Sequence, residues 1–295
     1  MRYAAIDVGS NAVRLLIADI IENNGSVSFK KNTLIRVPLR LGDDAFLDKR
    51  LSDKKVADLI KTMQAFRNLM DVYKVTEYLA FATSAMREAK NGEEIAKRIR
   101  TEATIDLEIV EGQREASIIY SSHIERTMDK SKNYLYIDVG GGSTELSLFA
   151  AGELWASKSF NIGTIRMLDN QDSEDTWQEM RDFIRENTRQ FKEVYGIGTG
   201  GNINKLYKLS EEKDGVPLSF VKLKSLYSYL SSFSLKDRIN VLALNQDRAD
   251  VIIPACEIYM TVMKTANIKN IYVPTAGLVD GIIQTLIDKN FLKAS

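Results

Sequence analysis

Tyr3-Ala-Ala-Ile-Asp-Val-Gly-Ser-Asn-Ala-Val-Arg-Leu-Leu-Ile-Ala18 decides how this chain is read, because Tyr134-Leu-Tyr-Ile-Asp-Val-Gly-Gly-Gly-Ser-Thr-Glu-Leu-Ser-Leu-Phe149 repeats it near the middle. Each copy is an apolar strand, Ile-Asp-Val-Gly, a small polar turn and a second apolar strand. Asp7 aligns with Asp138, and Gly9 with Gly140. A unit repeated at half a chain's spacing predicts two similar domains facing one cleft. In each turn glycine lets the backbone approach a ligand closely, and consecutive N–H groups can form an anion-binding nest. Two such nests with two carboxylates suit a chain of phosphates and its metal ion. A lone Asp-x-Gly is ordinary turn chemistry; its repetition, with the second copy extended to Gly-Gly-Gly-Ser-Thr-Glu, carries the functional reading.

The 295 residues, 44% hydrophobic and 27% charged, suit one large globular domain or two ordinary ones. Forty basic and forty acidic side chains cancel, so no general attraction to a DNA or RNA duplex or to a membrane is expected. Any anion site must be local. Cys256 is the only cysteine, which rules out an intramolecular disulfide or a cysteine metal cluster and makes it buried filler. No signal peptide or membrane-length apolar run is visible, which favours the cytoplasm.

In order, residues 2–9 and 13–20 read as a hairpin around Gly9-Ser10-Asn11, with a third strand at 26–37 and a loop at 36–44 holding Arg36 and Arg40. Those arginines either face solvent or guard a phosphate channel. Ser52 caps a helix running to about Val72, whose apolar residues Val56, Leu59, Ile60, Met63, Phe66 and Met70 recur at helical spacing. Strands follow at 77–82 and 106–110, the first leading through Thr83 into a helix start suited to anions. A helix runs from Arg114 to about Arg126, and the polar segment 128–133 is the linker. After the second hairpin come a strand at 153–158, a helix from Ser173 to about Tyr195, and a glycine-rich loop, Gly196 to Gly201. Pro254 fits only the first turn of the long apolar helix at about 249–266. A last strand, Asn270–Val273, precedes a final helix from Gly281. Alternating strands and helices argue for α/β layers, and the hairpins exclude a simple dinucleotide-binding fold.

Asp7-x-Gly9-Ser10-Asn11, Arg14-Leu15, Ala85-x-Arg87-x-Ala89-x-Asn91, Glu115-Ala116 and Asp138-x-Gly-Gly-Gly-Ser-Thr-Glu145 resemble the exopolyphosphatase/guanosine pentaphosphate phosphohydrolase (Ppx/GppA) family. Gly163 with Arg166, the Gly198–Gly201 loop, Arg248-x-Asp250 and Pro254 continue the resemblance in order. It implies a duplicated actin-like ATPase, or ribonuclease H-like, α/β fold with two domains around a central cleft: residues 1–126 and 133–280, with helix 281–295 able to pack back on the first. It also implies hydrolysis of terminal phosphate from inorganic polyphosphate or guanosine pentaphosphate. The chain is similar to the short, two-domain members, which lack a C-terminal helical domain with metal-binding histidines. Its only histidine, His123, reads as a helix-surface residue. Departures from the family pattern are Ala12 for Ser or Thr, Arg114 for the first acid of a Glu-Glu-Ala pair, Asn202 for Thr or Ser, and Val279-Asp280-Gly281 for Arg-Glu-Gly.

On this resemblance Glu115 is the acid that activates water, and Glu145 is the second catalytic acid. By itself Glu115 reads as an ordinary helix-start acid favoured by the dipole, and Glu145 as either an exposed strand residue or a site acid. Adjacent helical residues point about 100° apart, so Arg114 need not neutralise Glu115. Asp138 is the first metal-side carboxylate and Asp7 the second, for Mg²⁺ or another divalent cation, which needs few protein acids. Gly9, Ser10, Asn11, Gly141, Gly142, Ser143 and Thr144 would cradle phosphates, with Arg14 and Arg87 stabilising the transferred group. Arg166 and Arg248 are read as either interdomain salt bridges or substrate contacts. A homodimer is allowed for. The alternatives are an actin-like sugar kinase or ATPase, and a non-catalytic alarmone sensor.

Overall fold

The computed structural model describes residues 1–23, 26–121, 129–274 and 277–291; His123 and the start of the expected linker lie outside them. The chain divides into two compact units, Met1–Glu125 with Ala276–Ser295, and Arg126–Thr275.

In the first unit β1 (Arg2–Val8), β2 (Val13–Asn23) and β3 (Ser26–Val37) form an antiparallel meander. α1 (Leu41–Leu47) and α2 (Asp53–Val72) follow, then β4 (Glu77–Ala82), α3 (Ser84–Glu88), α4 (Gly92–Ala103), β5 (Leu107–Ile109) and α5 (Gly112–Ser121). The sheet order is β3-β2-β1-β4-β5, with β4 and β5 parallel to β1. β1 is central and buried on both faces, so it reads as an unbroken apolar run rather than an alternation. Ser52 caps α2 by accepting from the Lys55 amide, and the predicted apolar stripe is buried. Each fully buried Leu, Ile or Phe there contributes roughly 1.5–3 kcal/mol.

The second unit repeats the plan. β6 (Tyr134–Val139), β7 (Thr144–Ala150) and β8 (Glu153–Phe160) form the meander. α6 (Thr164–Leu168), α7 (Glu174–Thr188), β9 (Tyr195–Thr199), α8 (Gly201–Ser210), β10 (Leu218–Ser219) and α9 (Phe220–Ser231) come next. They are followed by α10 (Leu235–Asn240), α11 (Gln246–Ala249), α12 (Ile252–Thr265) and β11 (Asn270–Tyr272). The order is β8-β7-β6-β9-β11, with β10 added at the edge. The third-second-first-fourth-fifth order, with the second strand antiparallel, thus occurs twice. This is the duplicated actin-like, ribonuclease H-like fold.

Tyr195–Thr199 corrects the expected helix end and glycine loop: it is a strand pairing with β6 and β11. Its glycines misled the reading because they serve packing. A Cβ on Gly198 would lie 2.8 Å from Ile203 and 2.9 Å from Ile271, and one on Gly196 3.0 Å from Ile268. The expected loop at 36–44 likewise gives way to α1 from Leu41. Pro254 sits in the first turn of α12, and Cys256 is buried on it, its thiol pushed up to about 12 by burial.

The closing helix, α13 (Leu278–Phe291), packs in the first unit against β1 and α5. A Cβ on Gly281 would lie 2.6 Å from the carbonyl carbon of Ile118, so only glycine permits this approach of α13 to α5. Asp280 accepts from the Gly277 amide at 2.9 Å and pairs with Lys31 at 2.7 Å, tying the helix start to β3. Among the described residues no helix is long and apolar enough to cross a membrane.

Candidate active site

The second turn is held from one side. Thr164 N donates to Gly140 O at 3.0 Å, Ile165 N to Gly141 O at 2.8 Å, and Arg166 Nε to Gly142 O at 2.5 Å. In a planar trans peptide the carbonyl and the following N–H point in opposite directions. With the three carbonyls drawn to α6, the N–H groups of Gly141, Gly142 and Ser143 are aimed to the other side. Gly140 N closes the turn on Ser143 O at 2.9 Å. Gly163 makes this close contact possible: its Cβ would lie 2.5 Å from the carbonyl carbons of Gly141 and Gly142.

The first turn follows the same logic. Gly9 N closes on Ala12 O at 3.2 Å, Gly42 N donates to Ser10 O at 2.9 Å, and Arg40 N to Asn11 O at 3.0 Å. The N–H groups of Asn11 and Ala12 therefore point away from α1. Ser10 and Ser84 share a buried hydroxyl hydrogen bond of 2.9 Å, joining this turn to the start of α3.

Strand register sets what flanks each turn. In the second unit Thr199, Asp138, Glu145 and Ser159 are mutual partners across β9, β6, β7 and β8. Glu145 is buried and accepts from Ser143 Oγ at 2.6 Å and Ser159 Oγ at 2.9 Å. Like charges directly opposite on neighbouring strands repel, so the Asp138–Glu145 pair favours a cation or proton nearby. Thr199 Oγ1 is buried with no hydrogen-bond partner among the described residues. Gly200, at φ 88°, leaves open a place 2.5 Å from Asp138 Oδ1 that a Cβ would fill. Two acids and an unpartnered hydroxyl fit a hard cation that takes its remaining oxygens from water and substrate. No group of three or more His, Cys, Asp or Glu side chains suited to a metal gathers among the described residues. Tyr259, buried beneath, donates to Thr199 O at 3.1 Å; burial first, then the Asp138 charge, pushes its phenol well above its ordinary value.

In the first unit the corresponding partner of Asp7 is Arg14, which donates to Asp7 Oδ2 in an ion pair. Burial pushes the Asp7 carboxyl up against the pull of Arg14. Glu115 is buried in the first turn of α5. Its neighbour Arg114 is turned outward, pairing with Glu108 and lying 5.3 Å from the Phe81 ring centre. Arg87 Nη1 donates to Val110 O at 2.7 Å, bracing the segment that enters α5.

Several expectations change. Thr144, read as a phosphate contact, is fully buried and donates its hydroxyl to Ile162 O at 2.7 Å. Arg166, read as a salt bridge or substrate contact, is buried and clamps the glycine turn. Arg248 bonds Asn202 Oδ1 at 2.7 Å, and Asn202 Nδ2 bonds Val139 O at 2.9 Å, so the amide at 202 links α11 to the end of β6. Arg40 pairs with Asp43. Asn91 brackets Leu51 with two bonds of 3.0 Å, a packing role. Sequence reasoning missed Ser84, Ser159, Thr199 and Tyr259. Ser159 reaches Glu145 only through the β7–β8 register, which leaves no local signal.

Residues 20–290 match the Ppx/GppA phosphatase family. A bifunctional 3-dehydroquinate synthase/phosphatase of Fusobacterium nucleatum is 29% identical over 273 residues; the match covers 85% of this chain and 41% of that longer protein. Exopolyphosphatase 1 of Mycobacterium bovis is 23% identical, covering 98% of this chain and 89% of that one. The crystal structure of an exopolyphosphatase from Cytophaga hutchinsonii superposes with a TM-score of 0.84 at 24% identity over 98% of both chains.

Proposed function

The chain belongs to the Ppx/GppA phosphatase family, and from that premise we propose that it releases terminal phosphate from inorganic polyphosphate or guanosine pentaphosphate. The observation that carries this reading is the second turn: three successive N–H groups aimed one way, beside a register-paired Asp138 and Glu145. The N–H groups of Gly141, Gly142 and Ser143 receive phosphate oxygens. Fixed donors need no reorganisation as charge shifts to the leaving phosphate. Glu115 accepts the proton of the attacking water. Glu145, fixed by two serine hydroxyls, is the second catalytic acid. Asp138, with Glu145 and Thr199 beside it, would hold a divalent cation, Mg²⁺ by its oxygen donors, which neutralises phosphate charge. Asp7, already paired with Arg14, is the lesser candidate.

The test is phosphate release from long polyphosphate, tripolyphosphate and guanosine pentaphosphate, side by side, with Mg²⁺. Glu115→Gln is expected to slow release by on the order of 10²–10⁴ with substrate binding retained, and Asp138→Asn to raise the Mg²⁺ requirement. Tight binding of guanosine pentaphosphate without release from any substrate would establish the sensor alternative instead. ATP-dependent transfer to an acceptor, without polyphosphate hydrolysis, would establish the kinase.

A further inference from the structure

The second unit has a cavity of about 550 Å³ at the edge of its sheet opposite the glycine turn. It is lined by Val194 and Tyr195 where β9 begins and by Asn270 where β11 begins, whereas Thr199 ends β9 beside Asp138. At roughly 3.3 Å per residue, the length of β9 puts about 13 Å between the two places.

Its charge is one-sided. Arg185, Arg189, Lys192 and Lys269 line it, against the single acid Glu193. Glu193 accepts from the Tyr195 hydroxyl at 2.7 Å, and Arg185 pairs with Asp182. Arg189, Lys192 and Lys269 have no ion-pair partner among the described residues. In a chain whose forty cations and forty acids balance, three unmatched cations on one concavity are a local excess. The C-terminal ends of α7 and α12 also line the cavity and draw positive charge. That accounts for Arg189, but Lys192 and Lys269 lie outside both helices. The wall also carries aromatic surface: Phe191 lines the cavity, and the exposed Trp155 meets it edge-on at 5.7 Å.

We propose that this cavity is a second anion site, distinct from the glycine turn, for an oligophosphate-bearing ligand of nucleotide size. The volume falls in the range of small-molecule sites, roughly 300–1,000 Å³. Arginine and lysine together suit phosphate oxygens, and the rings offer a surface for a base. The shared chemistry is the oligophosphate, whose source is a free polyphosphate chain or the phosphates of a nucleotide.

The chain has two tryptophans, so Trp177→Phe leaves Trp155 as a reporter beside the cavity. This variant is titrated in EDTA with tripolyphosphate and, separately, with GTP. A saturable change in Trp155 emission that weakens with salt is expected. The added triple substitution R189S/K192S/K269S is expected to raise the half-saturating concentration at least tenfold. Equal responses to both ligands assign the site to the phosphate chain; a stronger GTP response adds the base. No saturable change, or one unaltered by the triple substitution, overturns the proposal. Phosphate release by the triple variant checks its folding and is read separately from Trp155 emission, so failure here leaves the catalytic reading untouched.

Discussion

The two units carry the same turn on the same strand order, yet the residues flanking the turns are charge-balanced in one unit and acidic in the other. Across the first sheet the register row is Glu108, Phe81, Asp7, Arg14 and Arg36. Across the second it is Thr199, Asp138, Glu145 and Ser159. At the position facing the shared aspartate, one unit has an arginine and the other a glutamate. The first pair neutralises itself: the buried Asp7 is paired with the partly exposed Arg14 guanidinium. The second is two acids, one fixed by serine hydroxyls. The two scaffolds share one plan; a single cross-strand position separates an ion pair from two facing acids.

The largest contrast is expected from matched substitutions at that position. Glu145→Gln should lower turnover by on the order of 10²–10⁴ with little change in unfolding free energy. Arg14→Gln strands a buried Asp7 carboxyl and should cost ~3 kcal/mol of stability, read by urea unfolding. Equal activity losses with equal stability would erase the distinction between the two rows. A smaller effect is expected where the turns are supported. Gly163→Ala drives a methyl group into the Gly141 and Gly142 carbonyls, whereas the first turn is held there by Arg40 and Gly42 amides. Displacing the second turn by a fraction of an ångström should cut kcat/KM by about 10². Arg40→Ala, which keeps its backbone amide, should leave kcat/KM within a fewfold. A Gly163→Ala enzyme with normal kcat/KM would show that the turn does not depend on the α6 contact. The smallest effect belongs to Tyr259→Phe, which removes the bond to Thr199 O. It should cost ~1 kcal/mol in denaturant unfolding with activity nearly intact; a large loss of activity would place Tyr259 in the chemistry.

Much of this molecule was legible in the chain alone, because the features concerned are local. The repeated Ile-Asp-Val-Gly hairpins, the Ser52 cap and the stripe on α2 express periods of two and 3.6 residues and the chemistry of one turn. The acids Glu115, Asp138 and Glu145 were singled out through the family resemblance; Glu115 and Glu145 are buried and Asp138 is partly buried. Tertiary structure decided what these residues touch. β9 was hidden because Gly196 and Gly198 weaken a strand signal while meeting packing demands from Ile203, Ile268 and Ile271. Thr144 was turned inward by the carbonyl of Ile162, eighteen residues away, and Arg166 was drawn under a glycine turn twenty-four residues before it. Ser159 and Thr199 came beside the acids through strand register. A hydrogen bond between distant residues leaves no periodic trace in sequence, since it exists only once the sheet brings its partners together.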